Sequence, residues 1–153
     1  MMPSDPNEEL RIDDMWRDIV AFHEKFRIAY DGGPRTLPED LQGFRLQFLA
    51  EEFTEYDDAV DNKNLEQCFD ALIDLVYVAL GTAYLHGFNF PEGWDRVHKA
   101  NMKKIRAARA SQSKRSSIYD VIKPPGWRAL RLTSTSSGNW ISAELRQIGR
   151  AHV

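Results

Sequence analysis

Residues 71–80, ALIDLVYVAL, would be apolar on nearly every side of a helix except at Asp74. A helix that is apolar all round is normally buried, so we expect residues 65–85 to form a core helix. The apolar run is shorter than the roughly 20 residues that a membrane-spanning helix needs, and it contains an ionisable group. We therefore do not expect a membrane span.

Helical spacing of apolar residues predicts three further helices, and short connections between helices favour antiparallel neighbours. The expected fold is therefore all-α, an antiparallel four-helix bundle with an irregular C-terminal segment. The three other predicted helices cover residues 13–30, 38–60 and 91–109. The predicted divisions are a flexible N-terminus at 1–12, a helical domain at 13–127 and an irregular tail at 128–153.

The last six residues, IGRAHV at 148–153, match one reading frame of a common sequencing adapter, ATC GGA AGA GCA CAC GTC. We hypothesise that this end is not native and that part of the tail from Arg128 is out of frame for the same reason. An independently sequenced clone that keeps these residues would contradict the hypothesis. No function is assigned to the tail.

Composition limits the classes of function. The chain has 153 residues, enough for one domain, and a net charge of −3, which argues against nucleic-acid binding by charge alone. Its one cysteine, Cys68, cannot form an internal disulfide. A lone cysteine is typical of a reducing compartment, so we expect a cytoplasmic protein.

Acidic side chains on two successive predicted helices carry the chemistry. Asp70 and Asp74 are four residues apart and share a helix face, and EEFTE at 51–55 lies on the preceding helix. A buried carboxylate without a partner is costly, and further carboxylates nearby increase the repulsion. A divalent cation resolves the conflict, and carboxylates without histidine or thiolate ligands favour magnesium or manganese. The alternatives are a solvated acidic face, or a bond from Asp74 to a basic residue.

The fourth predicted helix supplies the opposite charge. Asn101 and Lys104 are three residues apart on one face, and Lys123 follows later. Such side chains could hold phosphates beside a metal. The alternative is a solvated basic face.

With these motifs in order, the sequence resembles the all-α nucleoside triphosphate pyrophosphohydrolases of the MazG-like and phosphoribosyl-ATP pyrophosphohydrolase-like group. That group carries EExxE on one helix, intact here as EEFTE, and ExxD on the next. Asp74 matches the final aspartate, but Ala71 stands where the glutamate is expected, and Asp70 is the substitute. VHKANMKK and KPPGW extend the similarity over residues 13–127.

The resemblance implies hydrolysis of a nucleoside triphosphate to a monophosphate and pyrophosphate, with Mg²⁺ as cofactor. It implies four metal ligands, Glu52, Glu55, Asp70 and Asp74. It also implies that Glu51 orients water as the catalytic carboxylate or binds a second ion. Asn101, Lys104 and Lys123 would hold phosphate, and His23 would contact the base, although a core position is the alternative for His23. A homodimer or homotetramer is expected.

Two other functions stay open at this point. One is phosphoribosyl-ATP hydrolysis, which shares the fold and the chemistry. The other is a non-catalytic nucleotide-binding helical module, which the altered ExxD keeps in play. A di-iron bundle fits poorly, since neither His86 nor His98 follows a glutamate by three residues.

Overall fold

A computed structural model describes residues 11–129 and 131–132 of the chain. Helices make up most of this part, and the predicted all-α four-helix bundle is confirmed. The helices are α1 (Ile12–Lys25), α2 (Glu39–Asp61), α3 (Leu65–Leu85) and α4 (Phe90–Asn101). A short antiparallel hairpin follows, formed by β1 (Ile105–Arg106) and β2 (Val121–Ile122), with a 3₁₀ turn at Ala110–Gln112 between its strands.

The two ends of the chain lie largely outside the described residues. This holds for most of the predicted flexible N-terminus and for the suspected adapter-derived end at 148–153. The described residues of the tail form neither helix nor strand, in line with the irregular segment that the sequence predicts. The domain division itself stays a prediction.

The first helix is shorter than predicted, because it ends at Lys25 and not at residue 30. Arg27 adopts a left-handed conformation with φ of 57°, and the amide of Ile28 donates to the carbonyl of His23. This closes the helix in the manner of a Schellman cap. The chain then turns so that the amide of Tyr30 donates to Tyr84 Oη at 2.9 Å.

The fourth helix is also shorter than predicted, because it ends at Asn101 and not at residue 109. Residues that were expected to be helical instead form β1, in which Ile105 pairs with Ile122 and Arg106 with Val121. The pairing partner lies 15 or more residues away, so local spacing could not reveal it. The predicted boundary was therefore wrong, while the helix itself was right.

The core lies where α1, α3 and α4 meet the segment before α2. It contains Ile19, Leu37, Leu80, Tyr84 and Leu85. Trp16 of α1 stacks on Phe90 of α4 with ring centroids 5.7 Å apart, and it also contacts Tyr84. Aromatic contacts of this kind fix α1 and α4 on the C-terminal half of α3.

The most extensive helix pair is α2 with α3. A three-residue connection at 62–64 joins them, and the Asn64 side chain caps α3 by accepting from the amide of Gln67. The tight connection makes the helices antiparallel. It places the C-terminal half of α2 beside the N-terminal half of α3, and this junction carries the acidic residues.

One side of α3 does not fit the predicted burial. By length and composition α3 would suffice to cross a membrane, yet only 33% of its most apolar window is buried. Ala71, Val78 and Leu80 are buried, whereas Phe69 and Ile73 are 69% and 53% exposed. Within one chain the prediction of a fully buried helix is wrong for this side, because α1 and α2 cover only the other.

Candidate metal centre

Three of the predicted ligands come together between α2 and α3. Glu52 and Glu55 stand one turn apart on α2, and Asp74 faces them from α3. One carboxylate oxygen from each lies within 4.8 Å of the others. Glu52 is buried, Asp74 is half-buried and Glu55 is exposed, so this acidic triad opens to solvent on the side of Glu55.

The electrostatics of the triad favour a bound cation. Burial raises the pKa of the Glu52 carboxyl, and the charges of Glu55 and Asp74 raise it further. Glu52 Oε2 is buried without a hydrogen-bond partner. Among residues 11–129 and 131–132, no lysine or arginine forms an ion pair with the triad.

A buried oxygen without a donor is unfavourable and calls for an explanation. A divalent cation would supply what Glu52 Oε2 lacks and would also offset the repulsion among the three carboxylates. All the potential metal ligands of the triad are carboxylate oxygens, which hard cations such as Mg²⁺, Mn²⁺ or Ca²⁺ prefer. The residues present therefore fit the metal that the family resemblance implies.

Glu51 lies outside the triad. Its carboxylate is exposed and accepts a hydrogen bond from Gln47 Nε2 at 2.9 Å. It lines shallow depressions on the outer side of α2, one of them shared with Glu55. Glu51 is thus a neighbour of the triad, and its catalytic role stays a prediction.

Asp70 also lies outside the triad, in an adjoining depression of about 250 Å³ between α2 and α3. Its neighbours there include Glu55, Asp58 and the buried Ala71. Asp70 is exposed, so its role as fourth ligand stays a prediction. Sequence reasoning missed Asp58, although its spacing of three residues from Glu55 places both on one face of α2.

The predicted phosphate-binding residues form a second group, beyond the end of α4. Asn101 is the last residue of α4 and is exposed, and its carbonyl accepts from the amide of Lys104. The ammonium groups of Lys104 and Lys123 lie 5.2 Å and 4.8 Å from the ring centroid of Trp127. In the described part of the chain no hydrogen bond or ion pair links this group to the triad.

His23 lies in the core, the position that the sequence left open as the alternative to a base contact. It is 2% exposed, its Nδ1 is 2.7 Å from the carbonyl oxygen of Ile19, and its ring packs on Tyr84. Burial lowers the pKa of His23, and the charge of Arg45 lowers it further. Enclosure of this kind favours a structural role for His23.

The lowered pKa of His23 predicts a pH dependence of stability. The unfolded chain takes up a proton on His23 near pH 6.5, whereas the folded chain does so only at lower pH. The stabilising contribution is therefore complete above about pH 6.5 and is lost as the pH falls below it. The free energy of unfolding, measured with urea at pH 7 and at pH 5, should fall less between these pH values in His23→Gln than in the wild type. The exposed His98→Gln is the control, and an equal loss in all three proteins would refute the prediction.

Arg45 is a buried cation that sequence reasoning missed. Its Nε donates to Thr82 Oγ1 at 3.0 Å, and its Nη2 donates to the carbonyl of Val78 at 2.7 Å. A Cβ atom on Gly81 would lie 2.9 Å from this Nη2, so the glycine permits the close approach. Spacing could have indicated this position, because Arg45 stands seven residues before Glu52 and therefore lies on the same face of α2.

A cavity of about 510 Å³ lies elsewhere in the described part of the chain. It is lined by Ala83, Phe88, Asn89, Phe90, Gly93, Trp94, Val97 and Leu132. These residues carry no carboxylate and no formal charge, so they offer no anionic ligand for a cation. The triad remains the site with the chemistry of a metal centre.

Comparison with known proteins agrees with the geometry. A sequence model of the phosphoribosyl-ATP pyrophosphohydrolase family matches residues 20–101, more than half of the chain. The matched range runs from α1 to the end of α4 and contains the whole triad. A search of curated proteins finds no match. The chain therefore belongs to the phosphoribosyl-ATP pyrophosphohydrolase family, whose members hydrolyse phosphoric anhydrides.

Proposed function

We propose that the protein is a Mg²⁺-dependent pyrophosphohydrolase that converts a nucleoside or deoxynucleoside triphosphate and water to the monophosphate and pyrophosphate. The observation that carries the proposal is the triad of Glu52, Glu55 and Asp74 with the unpartnered Glu52 Oε2. Membership of a pyrophosphohydrolase family gives the reaction class. Carboxylate-rich sites of this kind commonly bind magnesium together with substrate phosphates.

In this proposal the three triad carboxylates hold the cation, with Asp70 as a further ligand. When bound, Mg²⁺ neutralises phosphate charge and lowers the pKa of a water molecule. Glu51 accepts the proton of the attacking water as general base. The water oxygen bonds to phosphorus, the bridging P–O bond between the α and β phosphates breaks, and pyrophosphate leaves.

The residues beyond the end of α4 bind the substrate in this proposal. Asn101 donates from its side-chain amide, and Lys104 and Lys123 bring positive charge to phosphate oxygens. Charge builds on these oxygens as the anhydride breaks, and positioned cations stabilise it. The chain thus supplies carboxylates for the metal and ammonium groups for the phosphates.

Phosphoribosyl-ATP is the second candidate substrate, because the matching family is described by its hydrolysis. Both substrates contain the α–β anhydride, so the triad serves either one. The discrimination would come from the groups that contact the base and the sugar.

A substrate panel tests the proposal. The protein is incubated with Mg²⁺ and, separately, with each common ribonucleotide and deoxynucleotide triphosphate and with phosphoribosyl-ATP, and initial rates are compared. Turnover of at least one triphosphate above that of phosphoribosyl-ATP is expected. A clear preference for phosphoribosyl-ATP would select the second candidate, and binding without turnover would select a non-catalytic module.

We also propose that the chain assembles as a homodimer or homotetramer through the exposed side of α3. Phe69, Leu72, Ile73 and Val76 recur at helical spacing there and are all more than 40% exposed. Phe53 and Val60 of α2 are also more than 40% exposed. A patch of this kind marks an interaction surface, and a second copy offers the same patch in return.

The assembly is tested by placing charge on this surface. Phe69→Glu combined with Val76→Glu should lower the mass measured by light scattering to that of one chain, because burying two carboxylates is unfavourable. Tyr119→Glu, at a residue that is 88% exposed in the hairpin, is the control and should leave the mass unchanged. A wild-type protein that is already monomeric at micromolar concentration would disprove the assembly.

A further inference from the structure

Helix α2 has few buried residues with which to fix its position on α3. The buried ones are Arg45, Glu52 and Ala59, which recur every seven residues and therefore lie along one stripe of the helix. Ala59 is the only apolar residue among them, and the larger apolar side chains of α2 are half-buried or exposed. Within one chain, fully buried large side chains of α2 therefore do not hold it in place.

Arg45 contributes a polar connection between the two helices. Its Nε donates to Thr82 Oγ1 at 3.0 Å, and its Nη2 donates to the carbonyl of Val78 at 2.7 Å. Thr82 Oγ1 donates in turn to the same carbonyl at 2.7 Å. One rigid guanidinium thus binds two acceptors that lie one turn apart on α3. This Arg45 bridge fixes both the position of α2 along α3 and its rotation, because a change in either breaks a hydrogen bond.

The Arg45 bridge places a cation where a charge is unfavourable. Arg45 is 8% exposed, and within residues 11–129 and 131–132 it forms no ion pair with a carboxylate. Burial lowers the pKa of its guanidinium. An apolar side chain of similar volume is often at least as stabilising in such a position. It would not fix the register, however, because it binds no particular atom of α3.

The triad lies between two fixed points of this helix pair. One is the connection at 62–64, which begins ten residues after Glu52 and ends ten residues before Asp74. The other is the Arg45 bridge, seven residues before Glu52 on α2 and, at Val78, four residues after Asp74 on α3. Ten helical residues span about 15 Å, so a change of about 4° in the angle between the helices moves Glu52 relative to Asp74 by about 1 Å. A displacement of that size impairs a preorganised site.

We propose that Arg45 is a positioning residue of the metal centre, which holds Glu52 of α2 at the separation from Asp74 of α3 that a divalent cation requires. Arg45 acts through the relative placement of the two helices. Its planar fork is the feature that matters, since a lysine offers a single point of charge and does not hold both acceptors. The inference rests on the proposed function only for the claim that the triad binds Mg²⁺.

Calorimetric titration of the metal-free protein with Mg²⁺, in the absence of nucleotide, tests the inference. Arg45→Lys and Arg45→Met should each raise the Kd for Mg²⁺ about tenfold, as is typical when a group that orients metal ligands is removed. Thr82→Val removes one acceptor of the bridge and should raise the Kd about threefold. Added to Arg45→Met, it should raise the Kd no further, because the bridge is already lost.

Thermal unfolding in EDTA separates positioning from a merely structural role. Arg45→Met should keep a Tm close to that of the wild type, because an apolar side chain replaces a buried charge. Ile19→Val, at a core residue of α1 that is 1% exposed, is the control and should lower the Tm while leaving the Kd for Mg²⁺ unchanged. A purely structural Arg45 would give the pattern of the control, with a lower Tm and an unchanged Kd.

A Kd for Mg²⁺ in Arg45→Lys within about twofold of the wild-type value would overturn the inference. Wild-type Mg²⁺ binding that Glu52→Gln leaves unchanged would also overturn it, because the triad would then hold no cation. If both Arg45 variants unfold, as circular dichroism would show, the Kd of Thr82→Val decides. A protein that hydrolyses no triphosphate but loses Mg²⁺ affinity in the Arg45 variants would contradict the proposed function and support this inference.

Discussion

Asp74→Asn is expected to lower kcat by at least about a hundredfold, a loss typical of removing a central charge from a preorganised site. Asp74 faces both Glu52 and Glu55, and it is the triad's only contribution from α3. The amide keeps the shape of the side chain but loses the anionic oxygen that would hold the cation. Initial rates with a triphosphate and Mg²⁺ measure the effect.

The fold should survive this change, since removing one of three repelling carboxylates relieves like-charge repulsion. Circular dichroism should therefore show unchanged helix content. Asp57→Asn, at an exposed carboxylate of α2 outside the triad, is the matched control and should keep its activity. Full turnover in Asp74→Asn would show that the metal assignment is wrong. Asp70→Asn, measured beside it, shows whether that carboxylate contributes.

Glu52→Gln should show how much of the protein's thermal stability comes from cation binding at the triad. Saturating Mg²⁺, at about 100 times its Kd, is worth about 2.7 kcal/mol. For a chain of this size that energy raises Tm by roughly 5–10 °C. Thermal unfolding of the wild type should show this rise. Glu52→Gln should lose most of it together with activity, because the variant lacks the buried anionic oxygen.

Without metal, Glu52→Gln should melt at or above the wild-type temperature, since the substitution removes a buried charge whose Oε2 lacks a partner. Glu39→Gln, at an exposed glutamate at the start of α2, serves as the control for the change of charge. A Mg²⁺-dependent rise in Tm that is as large in Glu52→Gln as in the wild type would place the cation elsewhere.

The sequence predicted the helices well where local signals were strong. The bounds of α3 agree with the prediction at both ends, because the polar connection before it and Gly87 after it are local stop signals. The end of α4 was missed because β1 forms only by pairing with β2, and a cross-strand partner leaves no trace in local periodicity. The exposed side of α3 was not predicted. An apolar helix can be covered by its own chain or by another chain, and the sequence pattern is the same in both cases.

The candidate site shows the same division between local and nonlocal information. Spacing on one helix predicts that Glu52 and Glu55 are neighbours, and the antiparallel connection of α2 and α3 brings Asp74 to them. Spacing could not show that Asp70 faces a different depression, because a shift of one residue turns a side chain by about 100° around the helix. His23 and Arg45 depend on packing among three helices, which no single motif encodes.

Ala71 marks where this chain departs from the pattern that it resembles. The residue is buried at the edge of the depression that holds Asp58 and Asp70. Its methyl group offers no ligand, so the triad has one carboxylate fewer than the ExxD pattern provides. Glu55 of the triad also lines that depression, together with Asp58 and Asp70, which lie outside the triad.

The most direct measurement is identification of the products by mass spectrometry and phosphorus NMR, after incubation with Mg²⁺ and the best triphosphate from the panel. Nucleoside monophosphate and pyrophosphate are expected in equal amounts, with no product when EDTA replaces Mg²⁺. Nucleoside diphosphate and phosphate, or turnover that continues unchanged in EDTA, would contradict it.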